Sequence, residues 1–293
     1  MKILLTGGSG FIGKNILGSC LSKKYEIIAP SHKDLDLTDE DAVQAFFDKN
    51  KIDIVLHSAC KPGHRNAKDS SGIFFNNTRM FFNLARNSNK FKKMIITGSG
   101  AIYDMRHYKP KMKEEYFGDH VPIDEHGFSK YVCEKYIEKT DNIIDLRIFG
   151  IFGKYEDYAI RFISNLICKV IFDVPLTINQ NKKFDYLYID DLMPVLDYFI
   201  QHDANHSAYN VTPDNSIELL ELAEKIKKIS GKDLPIIIKK DGLGSEYSGD
   251  NSLLKTEMTQ VIFTDIDEAI EELYNYYLSI KDKIKKEQIL VDK

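Results

Sequence analysis

Ile3-Leu4-Leu5-Thr6-Gly7-Gly8-Ser9-Gly10-Phe11-Ile12-Gly13 sets an apolar run directly against a glycine-spaced turn. The run predicts a buried strand. Ile12, Ile16, Leu17 and Leu21 predict the apolar stripe of a helix after the turn. Glycines at 7, 10 and 13 meet three demands: a tight turn, close approach of backbone to a pyrophosphate, and close packing of helix on strand. The helix N-terminus offers the phosphates unpaired N–H groups and partial positive charge. A glycine turn without a ligand is the plainer reading. The strand before it and the amphipathic helix after it favour dinucleotide binding by Gly7, Ser9, Gly10, Phe11, Ile12 and Gly13.

Outward from this turn, strands are expected at 2–5, 26–29, 52–57, 93–97 and 143–147. Helices fit between them at 12–22, 39–50, 73–88 and 126–139. Strands alternating with crossover helices give the α/β class: a Rossmann-type, doubly wound parallel sheet with its ligand at the carboxyl ends of the strands. The second half is less regular. Helices are expected at 158–172, 190–202, 217–230 and 266–280, with strands near 185–189 and at 209–211. Ser216 is placed to cap a helix and Gly231 to end it. The lysine-rich stretch 281–293 reads as a frayed, solvated end. The resulting division is a dinucleotide-binding domain over 1–150, to which 184–212 returns. A smaller, mixed substrate-binding lobe takes 151–183 and 213–293.

The chain's 293 residues suffice for this arrangement. A composition 43% hydrophobic and 29% charged places it among ordinary globular proteins. The net charge of −4 gives no electrostatic reason for nucleic acid or an anionic membrane as partner. No apolar stretch reaches membrane-spanning length, and the first core strand leaves no room for a signal peptide. Cys20, Cys60, Cys133 and Cys168 lie far apart without a CxxC pair. They read as reduced and mostly packed, which points to the cytoplasm and away from a zinc site.

Three further segments carry a resemblance. Thr97-Gly98-Ser99-Gly100-Ala101-Ile102-Tyr103 ends a strand in serine. Gly127-Phe128-Ser129-Lys130-Tyr131 with Glu134 opens a helix. Phe184-Asp185-Tyr186-Leu187-Tyr188-Ile189-Asp190-Asp191 runs from a strand into an acidic helix start. In this order they resemble the extended short-chain dehydrogenase/reductase (epimerase/dehydratase) family, whose members work on nucleotide-linked sugars. The stretches 34–39 and 53–63 are most similar to its GDP-fucose synthase-like reductases. The resemblance implies hydride transfer at a sugar carbon, with Ser99 holding the reacting oxygen and Lys130 bonding the nicotinamide ribose. It further implies that Ser58, Ala59 and Cys60 line the cofactor, that Asp36 and Leu37 meet adenine, and that Ser99 and Ala101 contact substrate.

The family's tyrosine, four residues before the lysine, is replaced by His126. An imidazolium is a stronger acid than a phenol and suits donation to the alkoxide left by ketone reduction. Lys130 should depress its pKa by like-charge repulsion. Three readings stand: His126 is the working acid, it is a bystander while Tyr103 or another group donates, or catalysis has been lost. Phe184 stands at a family arginine that binds the substrate diphosphate, so Arg161, Lys182 or Lys183 is expected to supply that charge. The family's asparagine is replaced by Gly150. Asp190-Asp191 is expected to cap a helix start, with no metal bound.

After the second strand, Ser31, His32 and Lys33 offer donors and positive charge where a site for NAD carries an acid. NADP(H) is therefore the favoured cofactor, with NAD(H) possible. The leading expectation is NADPH-dependent reduction of a nucleotide-linked keto sugar at carbon 4. The alternatives are an epimerase or dehydratase with tightly held NAD, and a non-catalytic dinucleotide-binding protein. Phe74, Phe81, Phe82, Tyr131 and Tyr136 give two helices exposed-looking apolar faces, from which a homodimer is expected.

Overall fold

The computed structural model describes residues 1–63, 67 and 69–290. The N-terminal half runs β1 (Lys2–Thr6), α1 (Phe11–Gly18), α2 (Leu21–Lys24), β2 (Glu26–Ile28), α3 (Glu40–Lys49), β3 (Ile54–His57), α4 (Ile73–Ala85), β4 (Lys93–Ser99), α5 (Glu125–Ile137) and β5 (Ile143–Ile148). Then follow β6 (Gly150–Phe152), α6 (Phe162–Ile171), β7 (Leu176–Asn181), β8 (Lys183–Phe184), β9 (Tyr186–Tyr188) and α7 (Leu192–Gln201). The chain continues through β10 (Ala208–Val211), β11 (Ile217–Glu218), α8 (Leu219–Ser230), β12 (Ile236–Leu243), α9 (Ser252–Glu257), α10 (Ile266–Ser279) and α11 (Lys286–Ile289).

Six strands form one sheet in the order β10-β5-β4-β3-β1-β2, parallel at every pairing. Alternation along each strand divides the core between its two faces. Leu4, Val55, Met94, Ile96 and Ile143 pack with Val43, Phe81 and Ile137 from α3, α4 and α5. Ile3, Leu5, Leu56, Ile95 and Leu146 pack on the opposite face with α1, α6 and α7. That cluster continues into α8 and α10 through Leu222, Ile226, Ile270 and Leu273. The doubly wound α/β fold is thus as expected. Three two-stranded pairings, β6-β9, β7-β12 and β8-β11, lie outside the main sheet.

Several local expectations are corrected. The helix expected at 12–22 breaks after Gly18, where Ser19 Oγ donates to the Ile16 carbonyl and accepts from the Leu21 N–H. The helix expected from 158 begins at Phe162. Ser216 caps nothing: its hydroxyl donates to Glu246, and the next helix starts at Leu219. Gly231 ends that helix in the left-handed region at φ +66°. Asp191 accepts from the N–H and hydroxyl of Thr264, so its carboxylate tethers the approach to α10 instead of capping α7. The stretch 281–290 is not frayed, because Ile284 and Ile289 are buried in the main core. Residues 291–293 of that expectation lie outside the described residues. Cys133 and Cys168 are buried but Cys20 and Cys60 are exposed, and all four are free thiols.

One buried cation ties these layers together. Arg147 on β5 is 2% exposed and donates to Glu134 Oε1 on α5 at 2.8 Å and to the Tyr103 hydroxyl at 2.8 Å. Asp145 Oδ2 lies 3.5 Å from its Nε. Tyr103 in turn donates to Asn210 Oδ1 on β10 at 2.9 Å. Burial raises the pKa of both carboxyls, that of Glu134 to about 8. Glu134 Oε2 and Asp145 Oδ1 have no other hydrogen-bond partner, and a proton shared between the two carboxyls satisfies both. Arg147→Met is expected to destabilise the fold by about 3–5 kcal/mol, because it strands buried carboxyls. Glu134's raised pKa means its contribution is lost as pH rises through about 8. Urea denaturation should therefore show a deficit that widens toward alkaline pH; a pH-independent deficit would refute the shared proton.

Candidate active site

The turns after β1 and β3 meet backbone to backbone. Gly7 adopts φ +72°, and a Cβ there would sit 2.7 Å from the Ala59 nitrogen. A Cβ on Gly13 would lie 2.2 Å from the Gly7 carbonyl oxygen. Only glycine permits both approaches. The Ala59 N–H donates to Thr6 Oγ1 at 3.2 Å, and Thr97 donates to Ser58 Oγ at 3.2 Å. These bonds hold Ser58 and Ala59 at the glycine turn. Ser9 and Gly10 are exposed, and Phe11 and Ile12 are half-buried. α1 starts behind Gly10 with no side chain bonded to its first-turn N–H groups. A side-chain-free cradle with open N–H donors fits a pyrophosphate.

The loop after β2 is exposed through Ser31, His32, Lys33 and Asp34. Ser31 donates to Asp34 through both its hydroxyl and its N–H. His32 Nδ1 lies 3.7 Å from Asp36, which also accepts from the N–H and hydroxyl of Thr38. Leu37 packs into the core, and its carbonyl accepts from Asn83.

Ser99 ends β4 and is half-buried; its Oγ accepts from the Ala101 N–H at 3.1 Å. The start of α5 presses on the following turn, where a Cβ on Gly127 would lie 2.5 Å from the Ala101 carbonyl oxygen. Asp124 caps α5 by accepting from the Gly127 N–H at 2.8 Å. His126 is half-buried, with Nδ1 4.0 Å from the Cys60 thiol. Burial first, then the charge of Lys130, lowers its pKa to about 4; Arg161 pushes the same way and Asp124 opposes. Lys130, one turn on, shares a small cavity with His57, Ala59, Asn77 and Asp145. Burial, and then Lys130, lowers the pKa of His57 to about 3. Burial and Lys130 thus both disfavour the imidazolium form of His126.

The sequence-predicted residues converge on the carboxyl edge of the sheet: the glycine turn, 58–60, Ser99, Ala101, His126 and Lys130. Arg161, exposed at the start of α6, is close enough for its charge to act on His126. Lys183 is half-buried on β8. Tyr103 is not at hand to donate a proton, being 2% exposed and bonded to both Arg147 and Asn210. Sequence reasoning missed Tyr108 and Tyr247. The Tyr247 ring packs 4.9 Å from that of Tyr108, and the Ser99 and Tyr108 hydroxyls both pull the pKa of its phenol down against burial. No motif spacing marks either tyrosine; the only signal near Tyr247 is its place between Gly244 and Gly249 in a turn-rich stretch. Among the described residues no group of three or more His, Cys, Asp or Glu could hold a metal ion, and no helix is long and apolar enough to cross a membrane.

The model of the NAD dependent epimerase/dehydratase family matches residues 3–212. The chain is 25% identical to GDP-L-colitose synthase of Yersinia pseudotuberculosis, over 96% of this chain and 99% of that protein. Among solved structures it is similar to a GDP-L-fucose synthetase from Naegleria fowleri, with TM-score 0.82 and 18% identity over 97% and 95% of the two chains. It is also similar to a GDP-mannoheptose C4 reductase from Campylobacter jejuni solved with NADP bound, with TM-score 0.81 and 20% identity over 94% and 98%.

The His126 environment has a direct check. Its imidazole should titrate by nuclear magnetic resonance near pH 4, against about 6.5 for an unperturbed histidine. Lys130→Met should raise that midpoint by removing a like charge, while burial keeps it below the ordinary value. A midpoint near 6.5 in the intact protein would refute this environment.

Proposed function

The chain belongs to the NAD dependent epimerase/dehydratase family, an NAD(P)-dependent oxidoreductase of the extended short-chain dehydrogenase/reductase type, and we propose that it reduces a nucleotide-linked keto sugar at carbon 4. What supports the direction is the seat of His126, half-buried beside Lys130 where the family resemblance places a tyrosine, with burial and the lysine both lowering its pKa. Epimerases and dehydratases of this type begin by oxidising the sugar, which needs a base to take the hydroxyl proton. An imidazole whose conjugate acid has a pKa of about 4 is a weak base for that step. Reduction needs no such base. The reductases named among the similar proteins support the same reading.

Gly7, Ser9, Gly10, Phe11, Ile12 and Gly13 would hold the pyrophosphate, and Ser58, Ala59 and Cys60 would line the nicotinamide side. Bound in reduced form, the cofactor supplies a hydride. Ser99 holds the sugar carbonyl oxygen by a hydrogen bond that strengthens as negative charge builds there. Lys130 holds the ribose, and its positive charge favours the developing alkoxide. His126 lines the site and can donate a hydrogen bond from an uncharged N–H. Exposed Lys33 and His32 support NADP(H) through a 2′-phosphate contact. Arg161 and Lys183 face the substrate diphosphate in this reading. The segments 151–183 and 213–293 serve as the substrate lobe, and a cytoplasmic setting suits the free thiols.

The outer faces of α4 and α5 support a homodimer. Phe75 is 64% exposed, and Phe128 and Tyr136 lie at the surface. Phe74 stacks on Phe128 at 4.9 Å and Phe82 packs on Tyr136 at 5.5 Å, whereas Phe81 is buried and Tyr131 packs on Phe117 within the chain.

A panel of GDP- and dTDP-linked 4-keto sugars should include one whose reduction consumes NADPH stoichiometrically, and Ser99→Ala should lower kcat by about 10²–10³-fold. Lys33→Glu should weaken NADPH binding and spare NADH; equal affinities throughout would refute the NADP assignment. NADPH consumption by no member of the panel would refute the reductase. Sedimentation should give a dimer for the intact chain and a monomer for Phe75→Glu.

A further inference from the structure

A reductase needs a proton donor at the oxygen that Ser99 holds, and neither His126 nor Tyr103 is suited to the task. A third aromatic hydroxyl reaches that place from the far end of the chain. The segment around Tyr247 joins the edge of β8: its N–H donates to the Lys183 carbonyl at 2.9 Å, and its own carbonyl accepts from the Asp185 N–H at 3.1 Å. Asp185 fixes the same segment again by accepting from the Gly249 N–H at 2.7 Å.

The ring is then boxed by three others. Tyr108, Phe149 and Phe184 stand 4.9, 5.2 and 5.6 Å from it, centroid to centroid. Phe184 is the residue found where the family resemblance places a diphosphate-binding arginine, so that departure creates an apolar seat for a phenol. Glycines allow the box to close: a Cβ on Gly249 would lie 2.4 Å from the Phe149 ring, and one on Gly100 would lie 2.7 Å from it. Gly100 directly follows Ser99, and its carbonyl accepts from the Tyr108 hydroxyl. The Tyr247 ring thus packs on the residues that close over Gly100, and the Tyr108 and Ser99 hydroxyls both act on its phenol.

We propose that Tyr247 is the proton donor of the site: with Ser99 it holds the reacting sugar oxygen and hands that oxygen its proton. This rests on the reductase reading above. In balance, the carbonyl carbon gains a hydride, the dihydronicotinamide that gives it is oxidised, and the C=O π pair moves onto oxygen. That oxygen forms a bond to the Tyr247 proton, and the phenolate left behind recovers a proton from solvent. Burial pushes the Tyr247 phenol up to about 12, against the pull of Tyr108 and Ser99, so it carries its proton at neutral pH and still yields it to a more basic alkoxide. Asp185 is a positioning residue, acting through the 247–249 backbone.

The test uses the keto-sugar nucleotide that the intact enzyme reduces in the panel. Tyr247→Phe should lower kcat by about 10²–10⁴-fold, the usual contribution of a positioned acid. Calorimetry without cofactor should show both Tyr247→Phe and Ser99→Ala weakening the keto-sugar nucleotide but not the free nucleoside diphosphate. If Tyr247→Phe does not fold, a ring-fluorinated tyrosine at position 247 acidifies the phenol without altering its shape. It should move the alkaline limb of the kcat–pH profile to lower pH. Full activity in Tyr247→Phe, or an unmoved limb with the fluorinated residue, overturns this proposal and leaves the reductase standing. Inactivity of the intact enzyme on the whole panel overturns the reductase and this proposal together.

Discussion

Arg147 is the point from which the rest of the site is held. A guanidinium with almost no solvent contact must find its partners inside the protein, and it finds them on two other segments and reaches a third through Tyr103. Glu134 belongs to the helix that also carries His126 and Lys130. Tyr103 belongs to the segment after Ser99, and through Asn210 it reaches the last strand of the sheet. The serine and the lysine therefore stand on elements joined to one rigid pin. Such a cluster contributes little net stability compared with apolar packing of the same volume, but leaving any member unpaired is costly. Its effect is to fix α5 in one position against β4 and β5.

The cofactor side depends on a different constraint, the absence of side chains. Two turns from separate strands come within backbone contact, and that contact exists because Gly7 and Gly13 have no Cβ. The two turns proposed to hold the cofactor are thereby brought together without any charged residue. The substrate side is built in the opposite manner, from rings. Phe149, Phe184, Tyr108 and Tyr247 pack on one another, ring against ring.

Much of this was legible in the amino-acid sequence. Alternating apolar residues gave each main strand two buried faces, and the glycine spacing located the cradle. The small pairings outside the sheet were not legible, because strands of two or three residues such as 183–184 carry no periodicity. The tail was misread because its lysines outnumber Ile284 and Ile289, whose burial decides its position. Tyr247 could not be found from spacing, since Ser99 and Tyr108 lie more than a hundred residues away. The His126 substitution was visible, but its protonation state depends on burial, which spacing does not report. The Asp190-Asp191 pair shows the same limit: its partner, Thr264, is remote in the chain.

The second lobe leaves one long open border. β12 pairs with β7 on one side only, and its residues from Ile237 to Leu243 are exposed. Among the described residues no further strand lies along this edge, and an edge carrying Ile237 and Ile238 is a template on which another chain could extend the sheet. Lys239 and Lys240 place charge in the middle of that edge, and the register shifts between Lys240 and Leu243. Charge and a bulge are the means by which natural sheets discourage such growth. The composition of this border thus works against growth of the sheet, through charge and an irregular register rather than through burial.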